Sequence, residues 1–402
     1  MRGEYAAPED HTYGGSVVSD PPDGREKSVT DPTMEKSHRS LSLRYRPELT
    51  GLRIPLALII LVKHSDNGVF PGSWEVMQVW FALSGFLITS IMLRERISTG
   101  KISIAKFYQR RALKIYPVLW IVIACMYVYV ALVHVDNGWY RLNGDALASV
   151  FFYMDYLKAL GHEAYGGFFG PLWALSVEEQ FYLLWAPLLI FSTWRWGRKG
   201  AMWIAIVGVV AVTINREILW SVLGPLQSTG IRILFAFDTN ADAIFAGCVL
   251  AILFSWGMLS NLGPRSKRVL AVAAAISTAY FVAVLFTIDV GMPAPYVWGM
   301  SVSMIVAFVV IAHIVASPDG VYSRVLSIRP IVHLGDMAYI IYVAHWPIYS
   351  LLNHSVVPSF NEFELLCVRL AVVLVFSEIV WQVMDKHVAR FRRRYFSLDS
   401  AH

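Results

Sequence analysis

The sequence predicts an all-α polytopic membrane protein of about ten transmembrane helices with both termini in the cytoplasm. Three observations carry this. Of the 402 residues, 56% are hydrophobic and 16% are charged, against about 25% charged in soluble domains, too little charge for a surface that faces water throughout. The apolar stretches run for roughly 20 residues, the length of a helix that crosses a bilayer, whereas strands of an outer-membrane barrel are about ten residues of alternating character. Finally, Lys and Arg concentrate in every second connecting segment. A soluble enzyme and a β-barrel are both excluded.

Along the chain, residues 1–44 are rich in Pro, Gly, Ser, Asp, Glu and Arg and nearly free of aliphatic side chains. They cannot bury enough apolar surface to fold and are expected to form a disordered cytoplasmic tail. They are not a secretory signal, since the first apolar run begins only after Arg53. The membrane domain is expected over 45–385, with spans near 50–69, 74–93, 115–134, 171–192, 201–221, 232–255, 268–288, 296–316, 333–352 and 363–385. A shorter apolar piece near 146–157 is too brief to cross. With Tyr153, Tyr156 and the Gly-rich segment 161–170, it is expected to form a partly buried or re-entrant element. Residues 386–402 read as a basic cytoplasmic tail, with no soluble domain after the last span.

With the N-terminus inside, the inner segments collect 27 Lys and Arg and the outer loops only Arg141 and Lys158. This bias is the signature of cytoplasmic loops and predicts a multi-pass protein of the plasma membrane. It also accounts for the net charge of +5 without a nucleic-acid partner. Cys125, Cys248 and Cys367 lie in apolar runs, where a thiol acts as a small hydrophobe. Neither a disulfide framework nor a metal-ligand spacing is present, so no metal and no permanently bound cofactor are expected.

Ionisable groups inside spans are costly and mark pathways or sites. Arg53 and His64 are eleven residues apart; eleven steps of 100° come within 20° of whole turns, which places both on one helix face about 16 Å apart along the axis. In the fourth span, Trp173, Ser176, Glu178, Glu179 and Gln180 precede Phe181 and Tyr182. In the ninth, His345 stands beside Trp346 and Pro347, with Tyr339 and Tyr342 on the preceding turns. His64, Glu178 or Glu179, and His345 reach similar depths and are placed to meet near mid-membrane. A histidine oriented by a carboxylate in a water-poor cavity is a general base. The two glutamates diverge by about 100°, so one faces the cavity, with Glu178 preferred.

Other residues carry two readings. His345 is a site residue or a structural bond beside Trp346. Ser84-Gly85 reads more as close helix packing than as a nucleophile. Asp238, Asn240 and Asp242 face an acceptor or bond a neighbouring helix, while Arg216 and Glu217 read as interfacial. On the cytoplasmic side, Arg94, Arg96, Lys101, Lys106, Arg110, Arg111 and Lys114 share one segment. Topology and anionic headgroups explain such a cluster, yet Arg110, Arg111 and Lys114 are at helical spacing and suited to phosphates.

Arg46-Pro47-Glu48-Leu49-Thr50-Gly51-Leu52-Arg53, the spacing from Arg53 to His64, Phe81 through Ile88, Arg110-Arg111 through Pro117, Trp173 through Tyr182, and Leu334-Gly335-Asp336 through His345-Trp346-Pro347 occur in the order found in the acyltransferase-3 family. In these motifs the chain, over about 46–385, resembles integral membrane O-acyltransferases such as O-antigen acetylases, Nod-factor acetylases and macrolide acyltransferases. The resemblance implies a ten-helix fold and transfer of an acyl group, commonly acetyl, from cytoplasmic acyl-CoA as co-substrate. The acceptor would be a hydroxyl on a glycan, glycolipid or glycosylated metabolite. By position, His64 is the essential histidine, Arg53 its partner on the donor path, and Arg111 with Lys114 the basic pair near the donor phosphates. That pair is usually two arginines, and Lys114 keeps the charge without the bidentate fork. Lys63 is also atypical and points about 100° from His64, a packing or snorkelling position.

His64 would deprotonate the acceptor for attack on the thioester, with Ser84, Tyr182 or His345 as oxyanion candidates; a covalent acyl-His or acyl-Ser84 route stays open. The reading from another class is a proton-coupled transporter or flippase. Against it, the chain has no internal repeat and no pair of Gly- or Pro-broken spans in matching positions.

Overall fold

The computed structural model describes residues 46–65, 68–133, 138–161, 167–354 and 356–395, with side chains up to residue 384. The expected tail at 1–44, residues 396–402 of the C-terminal tail, and residues 162–166 of the Gly-rich segment lie outside the described residues.

Among the described residues the chain is helical, without strands. In order, the helices are α1 Pro47–Gly51, α2 Arg53–Lys63, α3 Val76–Thr99, α4 Ile104–Val133, α5 Gly138–Val150, α6 Met154–Ala159, α7 Trp173–Leu223, α8 Gln227–Phe235, α9 Phe237–Ser255, α10 Pro264–Thr287, α11 Met300–Ala316, α12 Val321–Leu326, α13 Arg329–Leu351 and α14 Glu362–Tyr395. Short turns at Ser73–Glu75, Gly170–Leu172 and Pro295–Gly299 lead into α3, α7 and α11.

Six stretches among the described residues are long and apolar enough to cross a membrane: Ser73–Thr99, Ile104–Val133, Gly170–Leu223, Gln227–Ser255, Pro264–Thr287 and Pro295–Ala316. They contain seven of the ten expected spans, because 171–192 and 201–221 fall in one helical run, broken only at Gly197, whose φ of 66° belongs to the left-handed region that glycine tolerates. The other three expected spans are not among these six stretches. The stretch 50–69 yields α2, only 11 residues or about 16 Å long, which ends at Lys63 with His64 as its cap. The stretches 333–352 and 363–385 yield α13 and α14, which interrupt their apolar character with charged and histidine residues; α14 also continues to Tyr395, into the segment expected as a tail.

Burial orders the helices. In the Ser73–Thr99 stretch 78% of the apolar window is buried, in Gly170–Leu223 only 17%; α3 is therefore central, and α7 presents Leu183, Leu184, Phe191, Trp203 and Val207 outward, as a lipid-facing helix does. The crossing of α3 and α9 is unusually close. A Cβ on Gly85 would lie 2.0 Å from the Ile244 carbonyl oxygen, and one on Gly247 would lie 2.0 Å from that of Ala82. Each glycine admits the other helix's backbone, the small-residue device of membrane packing. Gly85 is thus a packing residue.

Arg216 is not interfacial. It is fully buried and paired with Asp242 at 2.7 Å, and it donates to the Thr239 carbonyl at 2.7 Å and to Ser301 at 2.8 Å. Asp238 pairs with Arg232 at 2.7 Å, and Asn240 donates to the Ile233 and Ala236 carbonyls at 3.0 and 2.9 Å, closing the break between α8 and α9. All three polar residues of the sixth expected span are helix contacts. The 146–157 piece folds into α5 and α6. Asp145, the residue before it in α5, is buried and accepts the Phe168 amide at 2.8 Å, and Asp155 accepts from Gln180 at 2.8 Å, which ties this connection to the start of α7.

Candidate active site

Two polar constellations sit at the two ends of α2. At its start, Arg53 opens onto a cavity of roughly 210 Å³ lined also by Ser84, Arg111, Lys114, Glu178 and Tyr182, with Trp80, Asp336 and Tyr339 completing the wall. At its end, His64 meets His345 of α13.

The cavity is built by side chains from α2, α3, α4, α7 and α13. Ser84 donates its proton to Glu178, and Tyr182 is 2.6 Å from the same serine oxygen; because the Ser84 proton is committed, Tyr182 donates to Ser84. Arg111 forks onto Glu179 through Nε at 3.1 Å and a second nitrogen, with its guanidinium 3.9 Å from the centre of the Tyr182 ring. Arg53 and Lys114 line the cavity with no hydrogen bond or ion pair among the described residues. Two basic side chains on the wall of one cavity attract an anion.

The fourth-span carboxylates divide as their 100° separation requires: Glu178 lines the cavity and Glu179 neutralises Arg111. Arg110, expected at the donor site, instead bonds Glu95 at 3.0 Å and is absent from the cavity wall, because one helical step rotates it away from Arg111.

At the other end, His64 Nδ1 and His345 Nε2 are 2.9 Å apart, with ring planes 7° apart and centroids 5.1 Å apart, the geometry of an in-plane hydrogen bond. His345 Nδ1 is 2.6 Å from the Tyr342 carbonyl. That oxygen only accepts, so His345 carries its proton on Nδ1 and, when neutral, offers a lone pair at Nε2. His64 therefore donates from Nδ1, leaving its own Nε2 unprotonated. His345 is fully buried. Tyr342 bonds the Pro171 carbonyl, and Trp346 donates to the Gly167 carbonyl at 3.0 Å while its ring stands edge-on to His64 at 5.1 Å. The connection leading into α7 is thereby fastened against the histidine pair.

The expected meeting of Glu178 with both histidines is corrected. The group orienting His64 is His345, and Glu178 is committed to Ser84 at the cavity. Between the two constellations lie Trp80, which lines the cavity, and Tyr342, 6.1 Å from Trp80 and 5.7 Å from His345 between ring centroids. Sequence reasoning gave no role to Asp336, Tyr339 or Trp80. The rule applied to His64 and Glu178, that an ionisable group inside an apolar span marks a site, would have found Asp336.

A family model described as an acyltransferase domain matches residues 48–381. A peptidoglycan O-acetyltransferase OatA of Listeria monocytogenes serovar 1/2a is 30% identical over 320 residues, covering 77% of this chain and 50% of the relative. The putative peptidoglycan O-acetyltransferase YrhL of Bacillus subtilis strain 168 is 26% identical, covering 90% and 57%. An O-acetyltransferase OatA of Staphylococcus aureus strain NCTC 8325 is 24% identical, covering 89% and 59%. The chain thus spans between half and three-fifths of the length of these relatives. No solved structure matches it.

Proposed function

The chain belongs to the acyltransferase-3 family of membrane O-acyltransferases, and on that premise we propose that it transfers an acetyl group from cytoplasmic acyl-CoA to a hydroxyl of a glycan, with His64 Nε2 as the general base. The observation that carries the proposal is the chain of hydrogen bonds from the Tyr342 carbonyl through His345 to His64, which leaves one unprotonated imidazole nitrogen in a buried setting.

In this mechanism the acceptor O–H gives its proton to His64 Nε2 as the oxygen attacks the thioester carbonyl carbon. His345 Nε2 accepts from His64 Nδ1 and stabilises the imidazolium that forms. Collapse of the tetrahedral intermediate breaks the carbon–sulfur bond, and the imidazolium returns its proton to the departing thiolate, giving free CoA and an O-acetyl ester. No acyl-enzyme is required. Arg53, Arg111 and Lys114 are assigned to the anionic groups of the donor, with Arg111 pre-set by Glu179 and Tyr182. The α2 axis, about 16 Å from Arg53 to His64, is the path of the donor's acyl arm.

The acceptor class follows from the relatives, two of whose names specify peptidoglycan; a hydroxyl of a cell-wall glycan is the proposed acceptor. The proposed topology has ten membrane segments, including α2, α13 and α14, and both termini in the cytoplasm, on the basic-residue bias of the connecting segments. The test is purified protein given radiolabelled acetyl-CoA and cell-wall glycan. Label recovered in the glycan as a base-labile ester supports the reading, and acetyl-CoA left unconsumed across glycan acceptors refutes it.

A further inference from the structure

We propose that Arg369 is a positioning residue that holds the ends of the two histidine-bearing helices in register; the inference rests on His64 being the base. Arg369 interrupts the apolar run of α14, where a buried cation is costly and marks function, and it is 7% exposed. None of the donor-side contacts involves it.

Its planar fork reaches two helix ends at once. Nε donates to the carbonyl of Leu352 at 2.8 Å, the residue that caps the C-terminus of α13. Nη1 donates to the Ser65 hydroxyl at 2.9 Å and approaches the Ser65 carbonyl at 3.5 Å, one residue beyond His64, which caps α2. The final carbonyls of a helix lack intrahelical partners and carry the negative end of its dipole, so one guanidinium serves both termini. Its charge also lies 5.0 Å from the centre of the Tyr349 ring, and that ring stands edge-on to His345 at 5.9 Å. Arg369 therefore touches the residue after one histidine and packs on a neighbour of the other. The 2.9 Å bond between them depends on α2 and α13 ending at matched heights. Lysine, a point charge without the fork, cannot bond both ends in this geometry.

The test compares Arg369→Met, Arg369→Lys and Ser65→Ala, purified as folded full-length protein and assayed for acetyl transfer, with His64→Ala as control. Misplacing a reacting group by about 1 Å costs on the order of 100-fold in rate, so Arg369→Met should lower kcat by roughly that factor with the acetyl-CoA KM within about twofold. Arg369→Lys should recover about a tenth of the wild-type rate and Ser65→Ala about a third. A purely structural role lowers the yield of folded protein but leaves kcat per folded molecule unchanged. Folded Arg369→Met with wild-type kcat, or with an effect on donor KM alone, overturns the inference while leaving the reading of His64 intact. Should Arg369→Met not fold, wild-type kcat in both Arg369→Lys and Ser65→Ala overturns it equally. An active His64→Ala control instead removes the premise.

Discussion

His64 donates from Nδ1 to Nε2 of His345 across 2.9 Å, and the Tyr342 carbonyl fixes the direction of that bond by accepting from the far side of the His345 ring at 2.6 Å. In the proposed mechanism an uncharged imidazole takes the part that a carboxylate takes in many general-base sites: it sets the tautomer and stabilises the charged form. It does so without placing a fixed negative charge in a buried membrane site.

Replacing His345 should therefore damage catalysis without weakening donor binding. His345→Ala is expected to lower kcat on the order of 100-fold or more, the usual worth of positioned acid–base chemistry, with the acetyl-CoA KM nearly unchanged. Steady-state transfer of labelled acetyl groups measures both constants.

The basic residues expected at the donor site should separate into two classes. Arg53→Met removes a cation from the cavity, and loss of a charged hydrogen bond of about 1.5–3 kcal/mol predicts a rise in donor KM of roughly 10- to 100-fold. Lys114→Met should act in the same direction. Arg110→Ala breaks only a partly exposed pair with Glu95, of a kind that contributes about 1 kcal/mol or less, so its KM should stay within about twofold. Titration of acetyl-CoA against the three variants decides it.

The glycine crossing predicts a stability effect with no direct bearing on chemistry. Gly85→Ala forces a methyl group to within 2.0 Å of the Ile244 carbonyl oxygen. Separating α3 from α9 to relieve that overlap is expected to cost about 1–3 kcal/mol or more. Thermal unfolding in detergent should show a lowered midpoint, larger than that for alanine at the unobstructed Gly263.

The buried pair Arg216–Asp242 predicts non-additivity. Asp242→Asn leaves an uncompensated cation and should destabilise the protein by about 3–5 kcal/mol. The double variant Arg216→Met with Asp242→Leu should recover much of that loss, since apolar pairs of similar volume often replace buried ion pairs at little cost. Thermal unfolding of Arg216→Met, Asp242→Leu and the double variant beside wild type closes the cycle.

Much of this architecture was legible in the sequence because a membrane helix is declared by composition over a long window. Helix ends were less so: α2 stops at Lys63, short of a full span, and 171–221 continues through Gly197 as one helical run, boundaries that a hydropathy window averages away. At the site, ionisable residues in apolar surroundings pointed to Arg53, His64, Glu178 and His345. What one-dimensional depth could not give was azimuth and partner. The sequence places His64, Glu178 and His345 at similar depth, yet Glu178 lines the cavity at the start of α2 and only the histidines bond, at its end; Arg110 and Arg111 differ by one helical step but face different carboxylates. Arg216 and Arg369 were visible as charges in spans, but their partners stand 26 and 304 residues away in Asp242 and Ser65, and no local pattern links such pairs.

The most direct test of His64 as the base is acetyl transfer by His64→Ala alongside a measurement of its acetyl-CoA affinity. The account predicts donor binding within a few-fold of wild type and transfer reduced on the order of 100- to 10,000-fold. Transfer at the wild-type rate by the folded His64→Ala protein would contradict it.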